Sequence, residues 1–283
     1  MWQSEQSQGL PFDTVQPSWA KGDLPKLRSA SLDDVSLFTR DLAALIQVPE
    51  ERLTTFPSGR RALYEVLSHL ASEEISNNPS VLLPAFTCPV VEQQLFMTKY
   101  RPVHYDFSSC NGVVDWRTLA ERVPTIPGLA AIIVTHLFGV PSDFRPIIDV
   151  CRRRNIAIIE DCSHCLGGWI GQHPVGTLGD YAFFSFNYDK PISLGWGGAL
   201  ATNSPRNAIS VPQTLLGTDA ELQMMQSLND WYERRRSRFH SHRRRDRISA
   251  QVLQVRDRYL SRVNYAPKLA DSNFGIGPVR ARL

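Results

Sequence analysis

Apolar positions along the chain recur in two rhythms, a helical one and a short continuous one, and they alternate. Ser31-Leu32-Asp33-Asp34 resembles a capping box, and Leu37, Leu42, Leu45 and Ile46 follow at helical spacing, which predicts a helix of roughly four turns. Phe56-Pro57-Ser58-Gly59 breaks the chain before a second helix, predicted from Arg60 to about Ser72 with Leu63, Val66, Leu67 and Leu70 on one face. Beyond it the short runs Val81-Leu82-Leu83, Pro102-Val103-His104-Tyr105, Ala130-Ala131-Ile132-Ile133-Val134 and Ile156-Ala157-Ile158-Ile159 read as strands. Helical stretches separate them, at about Val90 to Thr98, Trp116 to Arg122 and Phe144 to Arg154. β-branched runs alternating with helices are βαβ units, so the fold class is α/β, with a mostly parallel central sheet and flanking helices.

The ends of the chain read differently. Residues 1–30 are rich in Ser, Gln and Pro with little periodicity and predict an extended arm, followed by an α/β domain over 31–205. Residues 206–283 predict a helical C-terminal region, with one or two long helices between about Asp219 and Val263 and a tail containing Gly275-Ile276-Gly277-Pro278.

Composition narrows the class. With 283 residues, 42% hydrophobic and 21% charged, the chain is an ordinary globular protein with ample core. No run approaches the ~18 apolar residues needed to cross a bilayer, and the N-terminus lacks the basic and apolar regions of a signal peptide, so the expectation is a cytoplasmic protein with no membrane partner. Five cysteines, an odd number, cannot all pair, and reduced thiols are expected. Cys162-x-x-Cys165 has no second pair at metal-site spacing, so no metal is assigned and the two thiols are read as small residues lining a pocket. Of the net +3, residues 231–247 alone carry eight arginines against two acids, leaving the remainder net negative. Charge confined to one segment argues against a nucleic-acid partner, and a solvated helix face or an acidic ligand accounts for it better.

Chemistry gathers where such sheets bind ligands, beyond the carboxyl ends of the strands. Phe86-Thr87 follows the first buried run, His136 the third and Asp161 the fourth, and Ser185 ends the apolar run Tyr181-Ala182-Phe183-Phe184. Five residues later comes Lys190, and then Gly195-Trp196-Gly197-Gly198, where glycine permits close backbone approach. An acid, a hydroxyl and a lysine in that order fit pyridoxal phosphate: Lys190 for its aldehyde, Asp161 for its ring nitrogen, and Ser185 with the backbone amides of Gly59, Arg60 and Arg61 for its phosphate at a helix start. His164 could donate to the ring hydroxyl oxygen. Each residue also has a plainer reading, Asp161 as a turn cap, His164 as an interior histidine and Ser58-Gly59 as a helix cap.

Six motifs in order carry a family resemblance: Ser58-Gly59-Arg60-Arg61-Ala62-Leu63, Leu83-Pro84-Ala85-Phe86-Thr87, His136-Leu137-Phe138-Gly139, Ile159-Glu160-Asp161-Cys162-Ser163-His164, Val175-Gly176-Thr177-Leu178-Gly179-Asp180, and Phe184-Ser185-Phe186 through Lys190 to Gly197-Gly198. From about Thr54 to Asn203 the chain resembles the DegT/DnrJ/EryC1/StrS sugar aminotransferases of the fold type I pyridoxal phosphate enzymes. The resemblance implies cofactor attachment at Lys190, with Asp161, His164, Ser185 and the Gly59–Arg61 turn as contacts. It also implies a homodimer with the site near the subunit interface, and amino transfer from glutamate or glutamine to a nucleotide-linked keto sugar. Three features depart from the family. Cys88 stands where an aromatic residue often stacks on the cofactor ring, leaving that role to Phe86 or another residue. Arg60 and Arg61 replace small residues. The C-terminal region is short for the small domain that completes the substrate site. A catalytically weak relative with a partner or regulatory role, and a sugar dehydratase, are therefore kept as alternatives, although the retained Lys190 favours transfer.

Overall fold

In the computed structural model the described residues are 32–73, 77–108, 113–187, 190–192, 194 and 196–203, with 209, 223 and 226. The predicted arm, Ser31 of the capping box, Cys110, the helices after Asp219 apart from residues 223 and 226, the arginine-rich segment and the tail lie outside them.

Helix α1 spans Leu32–Ile46, strand β1 Leu53–Phe56, α2 Gly59–Glu73, β2 Ser80–Pro84, α3 Pro89–Met97, β3 Arg101–Tyr105, α4 Trp116–Arg122 and β4 Leu129–Thr135. Helix α5 spans Arg145–Arg154, β5 Ala157–Asp161, the small hairpin β6–β7 Trp169–Ile170 and His173–Pro174, β8 Tyr181–Ser185 and β9 Gly198–Thr202. One seven-stranded sheet runs in the order β1-β9-β8-β5-β4-β2-β3. Strands β8, β5, β4, β2 and β3 are mutually parallel, whereas β9 is antiparallel to both of its neighbours, so the mostly parallel sheet expected from the βα alternation is present.

Both faces of the sheet are buried, and the two-residue pleat sorts the side chains between them. Val81 and Leu83, Ala131 and Ile133, Ile159, Tyr181 and Phe183 pack with Leu63, Val66 and Leu67 of α2 and with Val91 and Leu95 of α3. Their alternates Leu82, Ile132, Val134, Ile158, Ala182 and Phe184 pack on the opposite face with α1, α4 and α5 through Leu42, Ile46, Trp116, Leu119, Ile147 and Cys151. The described residues therefore form three layers, helices on either side of one sheet.

Two local expectations are revised. Leu37 and Leu45, read as part of the apolar face of α1, are exposed at 46% and 48%, and Leu42, Ala43 and Ile46 form the buried stripe instead. The Phe56-Pro57-Ser58-Gly59 break is shorter than expected, because Phe56 is still part of strand β1, which closes onto β9 at the antiparallel edge.

Candidate active site

Strand β2 is followed by β3 on its outer side, and the chain then crosses back over to place β4 on the inner side. Connections thus diverge between β2 and β4, and in sheets of this kind ligands bind in the crevice beyond the carboxyl ends of the strands at such a point. Thr87, Thr135, Asp161 and Ser185 lie at or just beyond those ends.

The same pleat that sorts the core divides Glu160 from Asp161. Glu160, fully buried, falls on the face of α1, α4 and α5. Its Oε1 accepts the backbone N–H groups of Leu178 at 2.9 Å and Gly179 at 2.7 Å, and its Oε2 accepts that of Gly176 at 2.9 Å and lies 3.0 Å from His136 Nε2. His136 Nδ1 accepts the Ser142 N–H at 3.0 Å, so the imidazole proton sits on Nε2 and is donated to Glu160. From the other side Asn203 Nδ2 donates to the carbonyls of Gly176 at 2.9 Å and Gly179 at 2.7 Å. Glu160 therefore pins the Gly176–Gly179 turn to the sheet, a role that its place in the Glu160-Asp161 motif did not reveal. His136, expected among the polar groups of the crevice, is buried in this interior pair instead. Cys162 Sγ lies within 4.8 Å of the His136 and Glu160 ligand atoms. Burial and the neighbouring carboxylates push that thiol well above its ordinary range, and the carboxylate's acceptor positions are filled by N–H donors, so the cluster is a structural anchor. Cys162 and Cys165, expected to line a pocket, are core side chains, 1% and 3% exposed.

Asp161, one residue on, faces the α2 and α3 side and is 5% exposed. Its Oδ1 accepts the Ser163 N–H at 3.0 Å, which is the turn-cap reading, while Oδ2 takes no hydrogen bond among the described residues. The turn cap therefore occupies one oxygen of the carboxylate and leaves the other open. Thr135 pairs with Asp161 across β4 and β5. Its hydroxyl, like that of Thr87 beyond β2, is buried with no hydrogen-bond partner among the described residues. Beneath them Tyr105 donates its hydroxyl to the Ile133 carbonyl at 3.0 Å, and burial raises its pKa beyond any physiological range.

Ser185 closes β8 opposite Gly198 and meets the start of α2. A Cβ on Gly59 would lie 2.9 Å from the Phe184 carbonyl oxygen and 3.1 Å from Ser185 Cβ. One on Gly198 would overlap the Gly59 nitrogen and the Ser58 carbonyl carbon, so two glycines let the helix start touch the strand end. Ser58 Oγ caps the helix by accepting the Arg61 N–H at 3.1 Å. The Arg61 guanidinium pairs with Glu65 and lies 5.4 Å over the Tyr64 ring, and Arg60 is half-buried. The β8–β9 connection is closed by Phe186 N–H to Gly197 O and Leu194 N–H to Phe186 O, both 2.9 Å, and anchored by the buried Phe186 and Leu194. Lys190 sits in this connection, half-buried, its N–H donating to Asn187 O at 3.1 Å.

His164 lies in the turn after β5. Its Nδ1 accepts the Phe138 N–H at 3.4 Å, and its ring stacks on Phe138 at 6.1 Å with 17° between planes. Phe86 joins the row, 6.1 Å from Phe138. Cys88 is exposed just before α3 and makes no side-chain cap.

Residues 29–217 match the DegT/DnrJ/EryC1/StrS aminotransferase family. The chain is 30% identical over 150 residues to the GDP-perosamine synthase of Escherichia coli O157:H7, covering 53% of this chain and 40% of that protein. It is 42% identical over 137 residues to the GDP-perosamine synthase of Caulobacter vibrioides, covering 48% of this chain and 36% of that one. The fold also matches the aminotransferase TlmJ of Streptoalloteichus hindustanus, with a TM-score of 0.57 at 24% identity over 68% of this chain and 53% of the other. The chain thus spans about half the length of these relatives or less. A match over two thirds of the chain, falling on the residues that build the carboxyl edge, means that the chain belongs to the DegT/DnrJ/EryC1/StrS family of pyridoxal phosphate-dependent aminotransferases.

Proposed function

We propose that the chain binds pyridoxal phosphate at the carboxyl edge of its sheet and transfers an amino group, from glutamate or glutamine, to a keto sugar carried on a nucleotide. The observation that carries this reading is the contact of Gly59 with Ser185, which sets a helix N-terminus and a hydroxyl side by side at the end of β8, on the same face of the sheet as the open Oδ2 of Asp161. The residues fit the cofactor's chemistry. Buried Thr87 and Thr135 hydroxyls lack partners among the described residues, Asp161 offers an oriented carboxylate oxygen, and the start of α2 favours an anion.

When bound, pyridoxal phosphate supplies an electrophilic aldehyde carbon and a ring that takes up the electrons released as a substrate C–H proton leaves. Lys190 would hold the cofactor covalently through Nζ and, once displaced by an incoming amine, carry the proton removed from the substrate carbon. Asp161 Oδ2 would keep a proton on the ring nitrogen, while Ser185 and the start of α2 bind the phosphate. The Ser163 N–H at Oδ1 holds the Asp161 carboxylate in place for that task.

The substrate class rests on the relatives, whose names include GDP-perosamine synthase, and the homodimer on the family resemblance. The test is spectroscopic and then chemical. Titrating the full chain with pyridoxal phosphate is expected to give a visible band that Lys190→Ala removes, and glutamate or glutamine should bleach it to the amine form. Mixing that form with a panel of keto nucleotide-sugars should restore the band and yield an amino sugar. A dehydrated sugar in its place would establish the dehydratase alternative, and a band indifferent to every donor would establish a binding protein.

A further inference from the structure

Phe138 is placed at a cost. It is 72% exposed, yet its backbone lies in the left-handed region at φ 55° and ψ 29°, a conformation that disfavours bulky side chains, and Gly139 follows at φ 80°. Two successive left-handed residues, closed by the Val140 N–H to Leu137 O bond of 2.9 Å, aim the Phe138 N–H at His164 Nδ1. The same twist lays the phenyl ring nearly parallel to the imidazole. Opposite, Asp161 Oδ1 and the Cys165 N–H to Cys162 O bond of 3.1 Å fix the turn that carries His164.

We propose that Phe138 is a positioning residue for His164: its N–H selects the imidazole tautomer and its ring fixes the imidazole plane. A backbone N–H can only donate, so Nδ1 bears the lone pair and the proton resides on Nε2. His164 thereby presents a donor of set direction at the carboxyl edge. Resting on the pyridoxal phosphate reading above, the acceptor for Nε2–H is the cofactor's ring hydroxyl oxygen. The left-handed strain at Phe138 is offset by this pairing, which an exposed aromatic side chain elsewhere on the turn would not provide.

Long-range proton–nitrogen correlation spectra of the full chain without cofactor, with the His164 signal assigned by its loss in His164→Gln, test the idea directly. The expected result is a single Nε2-protonated tautomer in the parent protein and in Phe138→Tyr, and nitrogen shifts moved toward averaged values in Phe138→Gly and Phe138→Leu, which keep the N–H but lose the ring that holds the imidazole plane against it. Phe138→Leu keeps bulk without the aromatic plane, so it serves if the glycine variant does not fold. Pyridoxal phosphate should then bind about 5-fold more weakly to Phe138→Leu than to Phe138→Tyr, the loss of about one hydrogen bond's alignment. An Nδ1-protonated or averaged His164 in the parent protein overturns the proposal, as do unchanged spectra in Phe138→Leu. A fixed tautomer in a protein that binds no pyridoxal phosphate would leave the positioning role standing and remove the cofactor reading.

Discussion

Two adjacent carboxylates in one strand have opposite surroundings, and the pleat alone separates them. Glu160 accepts three backbone N–H groups and the His136 ring inside the core, whereas Asp161 keeps one oxygen open at the edge. Glu160→Gln turns an amide NH₂ toward N–H donors and is expected to lower stability by about 2 to 4 kcal/mol, read from urea unfolding. Asp161→Asn keeps the oxygen that accepts the Ser163 N–H, so its stability should stay within about 0.5 kcal/mol of the parent while cofactor-dependent turnover falls by about 100-fold. Equal losses of stability in the two variants would contradict this division. Sequence reasoning singled out Asp161 because a carboxylate at the end of a buried apolar run otherwise lacks a partner. It missed Glu160 because three of its partners are backbone amides of a turn sixteen to nineteen residues away, and amides leave no mark in residue type. The thiols show the same limit. Cys151 is pushed up to about 12 by burial, Cys162 and Cys165 are raised by burial and Glu160, and Cys88 is exposed. Alkylation of the native protein at neutral pH followed by mass mapping is therefore expected to mark Cys88 and to spare Cys151, Cys162 and Cys165 until denaturant is added.

At the scale of elements, the site depends on how closely α2 approaches the β8–β9 ends. Gly198→Ala puts a methyl group into the Gly59 backbone, which cannot yield as a flexible side chain could. The expected outcome is a loss of pyridoxal phosphate affinity of at least about 10-fold with a lowered unfolding midpoint, measured by titration and thermal melting. An alanine variant that binds cofactor normally would show that the contact is not what holds the phosphate cradle. The elements themselves were largely legible. Buried parallel strands read as continuous apolar runs, and α4 falls on the expected Trp116–Arg122, where Asp115 caps it through the Thr118 N–H at 3.1 Å. What escaped was the antiparallel edge. Strand β1, Leu-Thr-Thr-Phe, is β-prone but only four residues long, and β9, Gly-Ala-Leu-Ala-Thr, has a single β-branched residue; β9 pairs with both β1 and β8, which satisfies the backbone of this edge. The exposed Leu37 and Leu45 show that helical spacing alone cannot choose between two overlapping apolar stripes.

At the scale of the molecule, a three-layer α/β body brings together residues more than a hundred positions apart in sequence, from Gly59 to Gly198, at one edge of one sheet. Among the described residues no helix is long and apolar enough to cross a membrane. The residues of the cofactor reading all lie in this body, whereas the amino acceptor is a matter for the substrate panel. The chain has five lysines, Lys21, Lys26, Lys99, Lys190 and Lys268, and that scarcity makes the central claim simple to test. Borohydride reduction of the full chain loaded with pyridoxal phosphate, followed by peptide mass mapping, is predicted to place one phosphopyridoxyl group on Lys190. No adduct, or one on any of the other four lysines with Lys190 unmodified, would contradict the account.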